Sequence, residues 1–218
     1  MKVYDNFMSA EDLEFLEKDF VELYDKGSFR VEQYFVEHQE TIEKVFNKTA
    51  DRLTQQIRCN ITSRPAGHRL REILKPIVDI PRLINIYYVR SFYPIGLHTD
   101  TNEREKSGTT YMIPLTYNTN IKTIAWHGAA TNEEFKELSE RFINHPEQFE
   151  KKNNMSTEID LSNCWTGERN IVDYLDIEGI ASWEQRSVIT FPRAMLHASN
   201  NYKKIVDYKD YILIHNNE

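Results

Sequence analysis

The order of local patterns along the 218 residues predicts an α+β fold, with helices first and a β core after them. Three observations carry that expectation. Apolar residues recur at helical spacing over roughly the first sixty positions. From Leu83 onward, short runs rich in β-branched and aromatic side chains replace them, bounded by Pro, Gly and Asn. No internal repeat, low-complexity tract or linker divides the two parts, so residues 1–218 are expected to form a single domain.

Composition narrows the class. Hydrophobic residues make up 40% and aromatics 12%, with only seven Gly and seven Pro, which describes a globular chain with a sizeable core. A net charge of −7 gives no general attraction to phosphate backbones and argues against a nucleic-acid partner. The N-terminal segment lacks a signal-peptide core, and no run approaches the ~18 apolar residues that span a bilayer. A cytoplasmic location without a membrane is therefore expected. Cys59 and Cys164 lie far apart and outside any Cys-x-x-Cys pattern, so they are expected to be reduced thiols.

The elements follow in order. Ser9 with Asp12 reads as a helix start; Leu13, Leu16, Phe20 and Leu23 follow at helical spacing, and Gly27 is a stop. A second helical stripe runs from about Glu32 to Arg58 through Phe35, Ile42, Val45, Phe46, Leu53 and Ile57, giving helical support over about 9–60. Residues 61–81 mix Pro65, Gly67, Pro76 and Pro81 with basic residues and read as a solvated connection. Leu83 to Arg90 is a strand, and Pro94 and Gly96 turn the chain before His98. Thr109–Leu115 and Ile121–Trp126 are expected to pair across the turn-prone Asn118-Thr119-Asn120. Thr131 and Glu134 form a capping box for a short helix through Phe135, Leu138 and Phe142. Residues 147–163 read as exposed loop, within a helical insertion of about 127–183 where a lid or selectivity surface is expected, with Trp126, Trp165, Arg169 and Trp183 around it. Strands resume over Ser187–Phe191 and Tyr208–His215, so the β core spans about 83–126 and 187–215.

Chemistry concentrates at His98-Thr99-Asp100. In extended chain, side chains two apart project from one face, which sets an imidazole beside a carboxylate. His197 then follows the strand Ser187–Phe191. Two His and one carboxylate form a facial triad that holds Fe(II) and leaves positions open.

The ordered set resembles the Fe(II)/2-oxoglutarate-dependent dioxygenases, in particular their prolyl-hydroxylase-like branch. The set comprises a tyrosine-bearing strand and Gly before His98-Thr99-Asp100, the strand Thr110-Tyr111-Met112-Ile113-Pro114-Leu115 after it, and Ser187-Val188-Ile189-Thr190-Phe191-Pro192 leading to His197. Val3 to Ser9 echoes the branch's opening strand and first helix. The resemblance implies a double-stranded β-helix, a jelly-roll or cupin-like core, with N-terminal support helices and a helical insertion. It places the iron ligands at His98, Asp100 and His197, with His215 and His127 as alternatives for the distal His.

The same resemblance calls for a cation on the strand after the distal His, to pair with the far carboxylate of the cosubstrate 2-oxoglutarate. No Arg follows Arg193, so Lys209 is the candidate, with Lys204 or Lys203 next. On the last strand Lys209, Tyr211 and Leu213 share one face, and Tyr211 stands where the branch often has Ser or Thr. Tyr111 and Tyr88 are further candidates near the cosubstrate and the metal. The implied reaction is hydroxylation of a small molecule, amino acid or protein side chain with O2, yielding succinate and CO2. The competing expectations are a cupin-type metal enzyme without 2-oxoglutarate, whose usual His-x-His is missing here, and a non-catalytic jelly-roll binding module.

Overall fold

Leu13, Leu16, Phe20 and Leu23 line one face of α1 (Ala10–Asp25) and all four are buried. The helix begins where the Ser9 side chain accepts a hydrogen bond from the Asp12 backbone N–H, which satisfies one of the donors a helix start leaves unpaired. A short strand, β1 (Lys2–Tyr4), precedes it. The structure, a computed structural model, describes residues 1–32, 56–78, 83–100, 108–129, 131–164 and 170–216.

Residues 33–55, most of the second expected helix, lie outside the described residues, but its two ends do not bear the helix out. Arg30–Glu32 is a strand, β2, and Gln56–Asn60 is another, β3; the two pair with each other, and β3 also pairs with β4 (Leu83–Ser91). Over Gln56-Ile57-Arg58-Cys59-Asn60 apolar and polar residues alternate, which is strand periodicity, and pairing with β4 selects it over the helical register. The expected solvated connection is also corrected. Pro65 stands at the first turn of α2 (Pro65–Leu74), where a missing N–H costs nothing, and Ala66, Gly67, Leu70 and Leu74 are buried. At Gly67 a Cβ would lie 2.1 Å from the Ile61 carbonyl oxygen, so only glycine lets α2 sit this close.

The remaining strands are β5 (Thr109–Pro114), β6 (Asn118–Trp126), β7 (Ile177–Trp183), β8 (Val188–Pro192), β9 (Leu196–Ser199) and β10 (Lys209–Asn216). Among the described residues they form two antiparallel sheets, ordered β1-β8-β5-β10-β4-β3-β2 and β7-β6-β9. Contrary to expectation, β5 and β6 do not pair: residues 115–117 carry the chain from the large sheet to the small one. The insertion is likewise shorter than 127–183, because β7 pairs along β6 and belongs to the core.

Strand alternation sorts the side chains into layers. Tyr88, Tyr111, Ile113, Ile212 and Ile214 leave one face of the large sheet and pack with α1 and α2. Val89, Met112, Phe191, Tyr211 and Leu213 leave the other and meet Ala181 and Trp183 of the small sheet. Ile124, Trp126, Leu196 and Ala198, on the far face of the small sheet, pack against the insertion through Phe142, Met155, Leu161, Ile171 and Val172. The stretch expected as exposed loop thus contributes core. This two-sheet sandwich backed by N-terminal helices is a jelly-roll architecture. Among the described residues no helix is long and apolar enough to cross a membrane.

Candidate functional site

The space between the sheets is where the sequence candidates meet. His98 and His197 form an isolated antiparallel bridge: His98 N donates to His197 O at 3.1 Å and His197 N donates to His98 O at 2.9 Å. That pairing sets the two imidazoles side by side, with ring centroids 4.2 Å apart. Asp100 follows two residues after His98, and its Oδ1 lies 3.7 Å from His98 Nε2 and 3.8 Å from His197 Nε2. Ligand atoms of all three lie within 4.8 Å of one another.

Each group is oriented by a second contact. His98 Nδ1 lies 2.8 Å from the Gly96 carbonyl and His197 Nδ1 2.9 Å from that of Met195; a carbonyl only accepts, so both Nδ1 atoms donate and both Nε2 atoms are turned toward Asp100. Asp100 Oδ2 accepts from Thr110 Oγ1 at 2.6 Å. Its backbone is clamped as well: Asp100 N donates to Arg193 O, and Arg193 Nη2 donates to Asp100 O, both at 2.9 Å. Burial pushes the Asp100 carboxyl up, but His197, His98, His215 and the Thr110 hydroxyl outweigh it and hold the group well below the usual carboxylate range. Thr99 points away, its backbone N–H and C=O both bonded to the Asn132 side chain at the start of α3 (Asn132–Asn144). The insertion supports the triad from behind, and none of its described residues lines the pocket that holds the triad. Trp126 and Trp183 are buried in the core, while Trp165 and Arg169 lie outside the described residues.

Lys209 enters the same pocket. It is 2% exposed; its Nζ donates to Ser199 Oγ and stands 4.1 Å from the Trp183 ring centroid, 5.0 Å from that of Tyr202 and 5.5 Å from that of Tyr211. Among the described residues no carboxylate pairs with it, and burial pushes its ammonium down to about 7. The alternatives lie elsewhere: Lys204 pairs with Asp160 at the surface, Lys203 bonds the Asp207 carbonyl, and His127 is exposed beside Glu178. His215 is on the inner face of β10, where burial, with Arg193 and Arg58, lowers its pKa against the opposing pull of Asp100.

Tyr88 and Tyr111 are corrected. They have the opposite strand parity to Thr110 and Met112 and face the helices; Tyr88 Oη donates to the Leu16 carbonyl at 3.0 Å. Tyr211 and Arg58 line the pocket instead. Arg58 was hidden in the supposed second helix, although the alternation over 56–60 would have placed it with Gln56 and Asn60 on one strand face.

No family model matches the chain, and no curated protein matches it by sequence. Solved structures do match. The non-heme alpha ketoglutarate dependent epimerase SnoN from nogalamycin biosynthesis superposes with a TM-score of 0.59 at 7% identity, over 99% of this chain and 77% of that one. EctD from S. alaskensis, solved with 2-oxoglutarate and 5-hydroxyectoine, gives 0.51 at 15% identity over 99% and 71%. A Pseudomonas putida prolyl-4-hydroxylase gives 0.50 at 7% identity over 100% and 91%. The chain has the jelly-roll fold of the Fe(II)/2-oxoglutarate-dependent oxygenases, the family its motifs resemble.

Proposed function

We propose that the protein is a non-haem Fe(II)- and 2-oxoglutarate-dependent oxygenase that hydroxylates a small molecule or protein side chain and releases succinate and CO2. The observation that carries this reading is the convergence of His98, Asp100 and His197 in one pocket with a buried lysine. The donor set fits a divalent iron: two imidazole Nε2 atoms and a carboxylate oxygen are turned toward a common point, and the ligand count leaves positions open. SnoN has been solved with Fe3+ and alpha ketoglutarate, in keeping with this assignment.

Bound there, Fe(II) would supply O2 activation coupled to oxidative decarboxylation of the 2-oxo acid. The chain's own residues do the positioning. The Gly96 and Met195 carbonyls fix the imidazole tautomers, and Thr110 holds one oxygen of Asp100 so that the other faces the His pair. Lys209 receives the far carboxylate of 2-oxoglutarate. Its partner Ser199 is two residues beyond His197 on β9, one strand repeat of ~7 Å, which suits a five-carbon diacid held at the triad. A carboxylate arriving beside Lys209 favours its protonated form, while Trp183, Tyr202 and Tyr211 keep water away from the pair. A reducing, cytoplasmic setting belongs to this reading, since Cys59 and Cys164 are buried free thiols.

The test adds 2-oxoglutarate to the anaerobic Fe(II)-loaded protein. A visible charge-transfer band is expected, together with succinate formation on admitting O2, and both should vanish in His98→Ala and Asp100→Ala. Iron bound without a band would favour a cupin-type enzyme that does not use 2-oxoglutarate. Failure to hold stoichiometric iron would favour a non-catalytic binding module.

A further inference from the structure

Thr99 stands between the ligands His98 and Asp100, and its backbone governs the direction in which both of them face. On an antiparallel strand, a residue whose N–H and C=O turn to one neighbour is followed by a residue whose N–H and C=O turn the other way. His98 exchanges both of its backbone bonds with His197 of β9, and Asp100 is held from the same side by Arg193. The N–H and C=O of Thr99 therefore turn away from β9.

Asn132 meets them there. Its Oδ1 accepts from the Thr99 N–H at 3.0 Å and its Nδ2 donates to the Thr99 carbonyl at 3.2 Å, so the carboxamide offers the acceptor and donor that a neighbouring strand would offer. Thr99 is 3% exposed, and backbone groups buried to that degree need partners. Asn132 opens α3, which is itself secured. Thr131 caps the helix by accepting from the Glu134 N–H at 3.1 Å, and near the other end the Phe142 ring lies 5.2 Å from that of Phe149 and 4.8 Å from that of Tyr174. The carboxamide is thus presented from a rigid element. Asn132 is exposed, so it fills no core volume and its removal opens no cavity.

We infer that Asn132 is a positioning residue of the iron site: acting through the Thr99 backbone, it keeps His98 and Asp100 on one face at the spacing the metal requires. This rests on the oxygenase reading and gives the insertion a part in it, with α3 as the buttress of the ligand-bearing segment. The carboxamide touches no ligand atom, so its loss weakens metal binding without abolishing it. Partners that orient ligands from behind change metal affinity by roughly 10–100-fold, and an indirect one belongs at the low end.

The test titrates Fe(II) anaerobically into the metal-free protein and records Tm with and without iron. Asn132→Ala and Asn132→Ser, which lack the paired acceptor and donor, should raise the Fe(II) midpoint about tenfold while the metal-free Tm falls by no more than about 5 °C. Asn132→Gln, which carries the carboxamide one methylene further out, should recover part of the affinity. Midpoints within about twofold of wild type in both Ala and Ser variants, seen as equal falls in Tm with and without iron, would make Asn132 purely structural and overturn the inference. Failure of both variants to fold, or a loss of affinity in Asn132→Gln as large as in Asn132→Ala, would overturn it too. Wild-type protein that holds no stoichiometric iron overturns this inference together with the oxygenase reading. Iron held without a 2-oxoglutarate charge-transfer band refutes only the use of that cosubstrate, and the Asn132 comparison is then decided on the iron midpoint alone.

Discussion

Lys209 brings a positive charge into a space whose described neighbours are one hydroxyl and three aromatic rings. Burial lowers its pKa from 10.5 to about 7 in the folded protein. Between those values the unfolded chain holds the extra proton, so folding gains stability as pH rises from about 7 toward 10.5 and loses it as pH falls from 10.5 to about 7, below which both states are protonated and the dependence flattens. The effect is at most about tenfold in the folding constant per pH unit. Chemical denaturation of the metal-free protein from pH 7 to 10 should therefore show a steeper rise for wild type than for Lys209→Met, and parallel profiles would refute the buried, unpaired ammonium. That this lysine and the His98–Asp100 pair line one pocket was legible because the strand period fixes which face a side chain takes. Tyr88 and Tyr111 were not: an aromatic ring suits either face of a half-buried strand, and only the parity shared with Ile86 and Ile113 turns them toward the helices.

Among the elements, α1 could be read in full because cap, stripe and stop agree. The segment 61–78 misled because Pro and Gly usually punctuate loops, whereas here Pro65 opens α2 and Gly67 permits its docking. That reading makes a quantitative expectation. In Gly67→Ala the new methyl would meet the Ile61 carbonyl at 2.1 Å and the Thr62 carbonyl at 2.9 Å, both backbone atoms that cannot rotate away. The helix must move off β3 and β4, at a cost of about 1–3 kcal/mol, against the better helix propensity of Ala. Urea unfolding measures the difference directly, and a variant as stable as wild type would mean that α2 is not held against residues 61–62. The pairing of β5 with β6 misled for a related reason. Turn residues such as Asn118 and Asn120 mark where a chain bends but not which sheet it enters, and that is settled only by Trp183 and Ser199 lying beside β6.

At the scale of the whole molecule, the order of local patterns carried only the α+β class, and the jelly roll was anticipated through the resemblance of the motifs around His98, Asp100 and His197 to a known family. Strand partners at long range, such as β1 with β8 or β3 with β4, left no local trace beyond alternation. The site draws on both sheets: His197 comes from the small one, Lys209 from the large one, and His98 and Asp100 from the segment after β4 of the large sheet, where His98 bridges to His197 of the small one. A ligand held by all of them ties the sheets together, so its binding energy adds to folding stability. Fe(II) added anaerobically should raise Tm, and 2-oxoglutarate should raise it again, the second step approaching about 2.7 kcal/mol at a concentration of about 100 times Kd. Because the diacid is proposed to bridge the metal and Lys209, its increment should require both. Lys209→Met should keep the Fe(II) step and lose most of the second, His197→Ala should lose both, and an equal 2-oxoglutarate step in metal-free protein would place the diacid somewhere other than between the triad and Lys209.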